Sequence, residues 1–424
     1  MIRPRCDISI LSSRRQAEIW NDTLAFRLEH LLSHLMEREG FDAWIVAARE
    51  YNEGPLLPTF LPEPMMTARR LTILLFLRKE DGSLERLSFS PPYPELAPYY
   101  RPAWSKASGI DQWDTLAGVL QKSSPSRIGI NVSQEFAFGD GLSVGLFRRL
   151  EAALEKAGGI ALVHALASAE SLAVAWLETR TAFELERYGK IVALAHRIID
   201  EAFSPALIHP GVTSTDDIAW WIRERIETLG LSAWFMPTVD LQRRGSDDPQ
   251  CSGLVIQGGD LLHCDVGLRY LGLCTDTQKL AYVLKEGESC APEGIISLVK
   301  EGNRLQDFLT DRFVAGRSGN EILLSTLKAA EDAGMEATVY THPIGFHGHG
   351  AGPTIGLYNQ QETIPVKGDY PLYNDTCYAI ELNAALPIAE WEGQKAYAFL
   401  EQTAAFTGGS VIYLDGRQTE PILI

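Results

Sequence analysis

The spacing of apolar positions changes period several times along the chain, and each change predicts an element. Residues 24–39 (LAFRLEHLLSHLMERE) put Leu28, Leu31, Leu32, Leu35 and Met36 on one helical face, and Gly40 then stops the pattern as a C-cap does. The run FDAWIVAA that follows is short and apolar throughout, which predicts a buried strand. LTILLFL (71–77) and RIGINV (127–132) predict two more, and 144–157 returns to helical spacing. Strand and helix alternating in this way favours an α/β layered domain, taken as residues 1–175.

From Thr181 the texture changes. AFELERYGKIVALAHRIIDEAF reads as one long helix, Pro210-Gly211 breaks it, and TSTDDIAWWIRERIETLG starts another, with Ser214 or Thr215 as N-cap and acidic residues in its first turn. Strands are expected at 252–257, 262–267 and 270–283, helices near 293–308 and 319–334, and a strand- and turn-rich final third. Residues 176–424 therefore read as an α+β domain holding two similar helix-strand units. The chain's 424 residues agree, because single cores stop growing at roughly 250–300 residues.

Charge narrows the function. With 38 basic and 55 acidic side chains the formal charge is -17, which repels a phosphate backbone, and no basic stripe offsets it, so a nucleic-acid role is not expected. Six cysteines (Cys6, Cys251, Cys264, Cys274, Cys290, Cys377) show no CxxC pairing, which argues against a zinc knuckle or a disulfide framework. The opening MIRPRCDISILSSRRQAEIWN lacks the apolar core of a secretory signal, and apolar runs such as Leu74 to Leu77 are too short to cross a bilayer. A cytoplasmic location without membrane partners is the expectation.

The candidate chemistry lies in the last 160 residues. Asp265 and Asp276 sit within GGDLLHCDVGLRYLGLCTDTQKLAYVL, in apolar strand-like runs that disfavour aspartate, and Tyr270-Leu271-Gly272 between them suits a hairpin turn. Folding that hairpin would set the two carboxylates side by side, where burial and repulsion call for a cation or a proton between them. Solvent-facing aspartates at strand ends fit the segment equally well. Downstream, however, Glu381 lies in CYAIELNAAL, Glu401 in YAFLEQTAAF, and His349 in the glycine-framed GHGAGP. Four carboxylates match the charge of two divalent cations, and an oxygen-rich set with one imidazole suits Mn²⁺, Co²⁺, Zn²⁺ or Fe²⁺.

The ordered run GDLLHCDVG, CTDTQK, GHGAG, AIEL and FLEQT resembles the Asp, Asp, His, Glu, Glu ligand set of the creatinase, aminopeptidase P, prolidase and methionine aminopeptidase superfamily. RLEHLLSHLMEREGFDAWIVAA is similar to the opening of its creatinase/prolidase amino-terminal domain, and the paired helices from Thr181 are similar to the start of its pita-bread catalytic domain. The resemblance implies an α/β amino-terminal domain followed by an α+β pita-bread domain. It implies that Asp276 and Glu401 bridge two divalent ions, Mn²⁺ first, that Asp265 completes one site, and that His349, preferred to His347, completes the other with Glu381. Thr277 matches a position that steers a bridging carboxylate. The implied chemistry is a shared water of lowered pKa attacking a scissile carbonyl, with Glu381 carrying the proton.

The family usually has a helper histidine about seven residues after the metal histidine. Counted from His349 that position is Gly356, and the upstream stretch FMPTVDLQRRGSDDPQCSG offers no second helper, so either His342 or His347 substitutes, or Asn359 and Gln360 donate hydrogen bonds instead. Elsewhere, His30 and His34 are read as a solvated pair, His263 as an ordinary partly buried histidine ahead of a neighbour of the Asp265 site, Trp220, Trp221, Trp234 and Phe235 as core ahead of pocket wall, and Arg243 and Arg244 as a surface loop ahead of a contact to a substrate carboxylate. The resemblance implies a homodimeric peptidase that removes a residue before proline or splits Xaa-Pro dipeptides. The alternatives are hydrolysis of a non-peptide C–N bond in a small molecule, or a binding scaffold.

Overall fold

A computed structural model describes residues 9–424, so Cys6 lies outside the described residues. The chain forms two compact units, Leu11–Leu177 and Glu178–Ile424, and Ile10 packs with the second.

In the first unit six strands form one sheet in the order β4-β3-β2-β1-β5-β6: β1 (Ala43–Arg49), β2 (Leu71–Arg78), β3 (Leu84–Ser88), β4 (Arg101–Pro102), β5 (Ile128–Ile130) and β6 (Leu166–Ser168). β1 is antiparallel to β2 and parallel to β5. Its apolar run is continuous because both faces are covered. Ala43, Ile45 and Ala47 pack with Trp113, Leu116, Leu120, Leu146 and Leu150, while Trp44 meets Phe60 and Phe76. The first helix starts at Ser13, eleven residues before its apolar pattern becomes visible, because only Leu24 of its first stretch (Ser13–Phe26) is buried. A π turn at Arg27–Leu31 follows, and then Leu32–Arg38 buries Leu32, Leu35 and Met36.

The second unit starts with helices Ala182–Ala202 and Thr215–Thr228, and later adds Glu293–Thr310 and Gly319–Asp332. Three of the four begin with a reciprocal capping box: Thr181 with Glu184, Ser214 with Asp217, and Ser318 with Glu321. The strands are β7 (Ser232–Ala233), β8 (Thr238–Gln242), β9 (Leu261–Val266), β10 (Leu268–Tyr270), β11 (Leu273–Cys274), β12 (Thr277–Tyr282), β13 (Glu336–Val339), β14 (His342–Pro343), β15 (Thr376–Ile388), β16 (Gln394–Thr407), β17 (Ser410–Tyr413) and β18 (Ile422–Leu423). The large sheet runs β13-β15-β16-β12-β9-β8, with β14 on β15, β17 on β16 and β18 on β12. One core is formed by the first helix pair, through residues such as Tyr188, Ile191, Ile222 and Ile226, against Leu262, Cys264 and Val266. The second helix pair contributes Leu298, Leu305, Ile322 and Leu323 to another core, with Leu280, Ile380, Leu382 and Leu400. The sheet's apolar positions are thus divided between two helix layers, which fixes it from both sides.

Two elements depart from the sequence pattern. Residues 252–257 form no strand, and Val255 makes only an isolated bridge to Ser214. A strand with no counterpart in the sequence pattern falls at β8, where TVDLQ is short and carries an aspartate that is paired with His263 in the interior. The five described cysteines are free thiols. No described helix is long and apolar enough to cross a membrane.

Candidate metal centre

The hairpin between the two aspartates forms as its sequence predicts. Leu271 (φ 51°) and Gly272 (φ 79°) are both left-handed, the pattern of a tight two-residue turn joining β10 to β11. Beyond it β12 returns antiparallel to β9, with Gln278 opposite Asp265. β16 then sets Glu401 opposite both Gln278 and Glu381. Asp276, directly before β12, is anchored by Thr403, whose backbone-facing hydroxyl accepts the Asp276 N–H at 3.2 Å and donates to the Asp276 carbonyl at 2.9 Å. Thr277, expected to steer a carboxylate, buries its hydroxyl without a hydrogen-bond partner.

Four carboxylates therefore converge from adjacent strands, and the histidine that meets them is His342. Its Nε2 lies 3.5 Å from Glu401, 3.6 Å from Asp276 and 3.8 Å from Glu381. Its Nδ1–H donates to the Pro343 carbonyl at 3.0 Å, which leaves Nε2 as the free ligand atom. Two trios have ligand atoms within 4.8 Å of one another: Asp276, His342 and Glu401, and Asp265, Glu381 and Glu401. Glu401 belongs to both.

This corrects the choice of His349 as ligand. The His349 side chain is exposed, its ring centroid stands 4.8 Å from that of His342, and among the described residues no carboxylate lies within ion-pair distance of it. The glycines around it serve another purpose. A Cβ at Gly348 would fall 2.2 Å from the Trp234 indole, and one at Gly350 would fall 2.8 Å from the Pro343 carbonyl, so the frame lets the chain pack against these groups rather than against a cation. His349 stands seven residues after His342, the interval the resemblance assigns to a helper histidine. The same interval counted from His349 ends at Gly356. At Gly356 φ is +79° and a Cβ would meet the Val339 carbonyl at 2.0 Å, so no side chain fits there. Gly356→Ala is expected to destabilise the chain by about 2 kcal/mol or more, read from its thermal midpoint. An unchanged midpoint would contradict this packing.

His342, offered as a substitute helper, is thus part of the donor cluster. His347, the other substitute, is half-buried, with its pKa lowered to about 4 by burial and by Arg269 and Arg180, and it is in neither trio. Other residues find simpler partners. Arg243 makes a two-pronged ion pair with Asp260, Arg244 pairs with Glu392, Trp220 is exposed, and His30 and His34 are exposed. Trp234 faces His349 edge-on at 5.2 Å while its Nε1–H donates to the Thr275 carbonyl, so its indole is a fixed wall beside the cluster. Gln278, Asp240 and the role of His342 were missed. The interval between His342 and His349 was the available signal for the last, whereas nothing in the local sequence marks the first two.

The donor set fits divalent cations on the structure's own terms. Asp265 Oδ1, Asp276 Oδ1, both Glu401 oxygens and His342 Nε2 are buried without a hydrogen-bond partner, although they stand close together. Burial, then the charges of Asp276 and Glu381, raise Asp265 well above the usual carboxylate range, and the same causes with Asp265 raise Glu401. Burial pushes Glu381 to about 7. His342 is raised, with burial opposing the charged ring but Asp276 and Glu381 outweighing it. His349, open to solvent on one side, is lowered by partial desolvation on the side facing the cluster and by the neighbouring His342. Like charges held this closely require protons or cations between them.

The sequence profile of metallopeptidase family M24 matches residues 187–408. No curated protein matches the chain. Among solved structures, an X-Pro aminopeptidase from Thermotoga maritima is similar over 92% of this chain and 99% of its own, at 17% identity and a TM-score of 0.64. An Xaa-Pro dipeptidase from Bacillus anthracis is similar over 97% and 100%, at 17% identity and 0.57. The N-terminal domain of the FACT complex subunit SPT16 from chickpea is similar over 93% and 96%, at 13% identity and 0.55.

Proposed function

This chain belongs to metallopeptidase family M24, with its two-domain pita-bread architecture, and from that premise we propose a peptidase dependent on two divalent metal ions that acts at Xaa-Pro bonds. It removes the residue before proline or splits an Xaa-Pro dipeptide. The observation that carries this reading is the convergence of Asp265, Asp276, His342, Glu381 and Glu401, with Asp265 Oδ1, Asp276 Oδ1, His342 Nε2 and both Glu401 oxygens buried and unpartnered. Divalent cations held there, Mn²⁺ first among Mn²⁺, Co²⁺, Zn²⁺ and Fe²⁺, would supply Lewis acidity and a water primed for attack near neutral pH.

The chain's own groups do the rest. Glu401, common to both trios, ties the two halves of the cluster together, with Asp276 beside it. Glu381 takes the proton of the attacking water and delivers it to the departing amine, a role suited to a carboxyl whose burial favours the protonated form. His349, exposed beside His342, hydrogen-bonds the scissile carbonyl oxygen or the group it becomes. Trp234, held rigid against Gly267 and Gly348, presents an apolar wall to the substrate side chain. His349, seven residues after His342, supplies one of the two helper histidines whose absence would favour a non-peptide substrate. A scaffold would have no need of a complete donor set.

Metal-depleted protein supplied with Mn²⁺ is expected to cleave Xaa-Pro dipeptides or the first bond of Xaa-Pro-Yaa peptides, to stop on chelation, and to hold metal by elemental analysis. Metal-loaded protein inert across such a panel would remove proline from the reading. Protein that takes up no metal would remove the enzyme.

A further inference from the structure

We propose that Gln278, with its amide locked by His263 and Asp240, is the positioning group that sets how Glu381 presents its oxygens. The proposal rests on the reading of Glu381 as ligand and proton carrier given above. Four side chains stand in line. Asp240 Oδ2 lies 3.0 Å from His263 Nδ1, His263 Nε2 lies 3.0 Å from Gln278 Oε1, and Gln278 Nε2 lies 2.5 Å from Glu381 Oε1. Asp240, His263 and Gln278 are almost wholly buried, and the Phe399 ring packs 5.2 Å from the imidazole.

The donor directions follow from the chemistry of each end. A primary amide is ambiguous, because it can offer a neighbour either its oxygen or its NH₂. A carboxylate can only accept, so Glu381 requires the NH₂, and the amide oxygen must then face His263. His263 Nε2–H donates to that oxygen, and Asp240 holds the opposite edge of the ring and prevents it from turning. The lock matters because of what it leaves exposed. Glu381 Oε1 is occupied by Gln278, so Oε2, 3.8 Å from His342 Nε2, is the oxygen turned to the donor cluster. Unpartnered, the carboxylate could swing between one-oxygen and two-oxygen binding. A chain of polar groups this deeply buried is costly compared with apolar packing, and it meets the donor cluster through the Gln278 hydrogen bond to Glu381.

The test is Mn²⁺ binding to the metal-depleted full chain by titration calorimetry, with the melting temperature of each metal-free variant as a check on folding. Gln278→Met, similar in length but unable to hydrogen-bond in this way, is expected to weaken Mn²⁺ binding by roughly 10–100-fold. His263→Phe should weaken it less, and the double variant should bind no more weakly than Gln278→Met, because His263 acts through Gln278. If Gln278→Met does not fold, Gln278→Asn, whose amide is one methylene short of Glu381, gives the same comparison. Wild-type affinity in a folded Gln278 variant would overturn the proposal, as would losses that multiply in the double variant. A wild-type chain that takes up no Mn²⁺ would overturn the metallopeptidase reading, and this proposal with it.

Discussion

His342→Ala is expected to lose bound metal and about 10³-fold in kcat/KM with Mn²⁺ present, the scale set by several kcal/mol of lost charge stabilisation. His349→Ala is expected to keep its metal and to lose roughly 10²–10³-fold, mainly in kcat, as when one well-placed hydrogen-bond donor to the developing charge is removed. The two rings are neighbours in space, so the contrast rests on where their nitrogens stand. His342 Nε2 has three carboxylates within 3.8 Å and its Nδ1 tied to a backbone carbonyl. His349 is exposed and faces Trp234 and His342. Elemental analysis of the two variants, followed by steady-state kinetics, separates them. Metal loss in His349→Ala with retention in His342→Ala would reverse the assignment made here.

The metal-free protein should become less stable as pH rises, opposite to the usual behaviour of carboxylates in folded proteins. A carboxyl whose pKa is raised by folding holds its proton more tightly in the folded chain than in the unfolded one. Its contribution is therefore complete below its ordinary pKa and is lost as pH climbs through the folded value. For Glu381 this window runs from 4.5 to about 7 and corresponds to about 3 kcal/mol, and the raised Asp265 and Glu401 act in the same direction. Cations should substitute for the missing protons. At pH 8, Mn²⁺ at about 100 times its dissociation constant should restore about 3 kcal/mol, and it should do far less for Glu401→Gln. Thermal midpoints at pH 5 and pH 8, with and without Mn²⁺, provide the comparison. A metal-free chain at least as stable at pH 8 as at pH 5 would show that the four carboxylates are not crowded in the way described.

Much of the fold could be read from local pattern. The strands at LTILLFL and FDAWIVAA, the capped helices after Thr181 and Ser214, and the turn at Leu271-Gly272 each follow from preferences acting over a few residues. Elements without such a signal were misread. The first helix hides its start among polar residues, and β8 gives no strand signal because Asp240 interrupts it, although burial against His263 gives that aspartate a reason to be there.

By itself the sequence determined the kind of chemistry: four carboxylates placed in apolar strands, against their propensity, need a compensating charge once burial brings them together. Only the tertiary structure decided which histidine joins them. Of His342, His347 and His349, the glycine-framed one looks most like a ligand on paper. Strand pairing carries His342 to the carboxylates, while packing of Gly348 and Gly350 against Trp234 and Pro343 holds His349 to one side. The same holds for Gln278 and Asp240, whose partners lie 103 and 23 residues away in the chain, because hydrogen bonds act over ångströms and the order of residues does not record which strands will become neighbours.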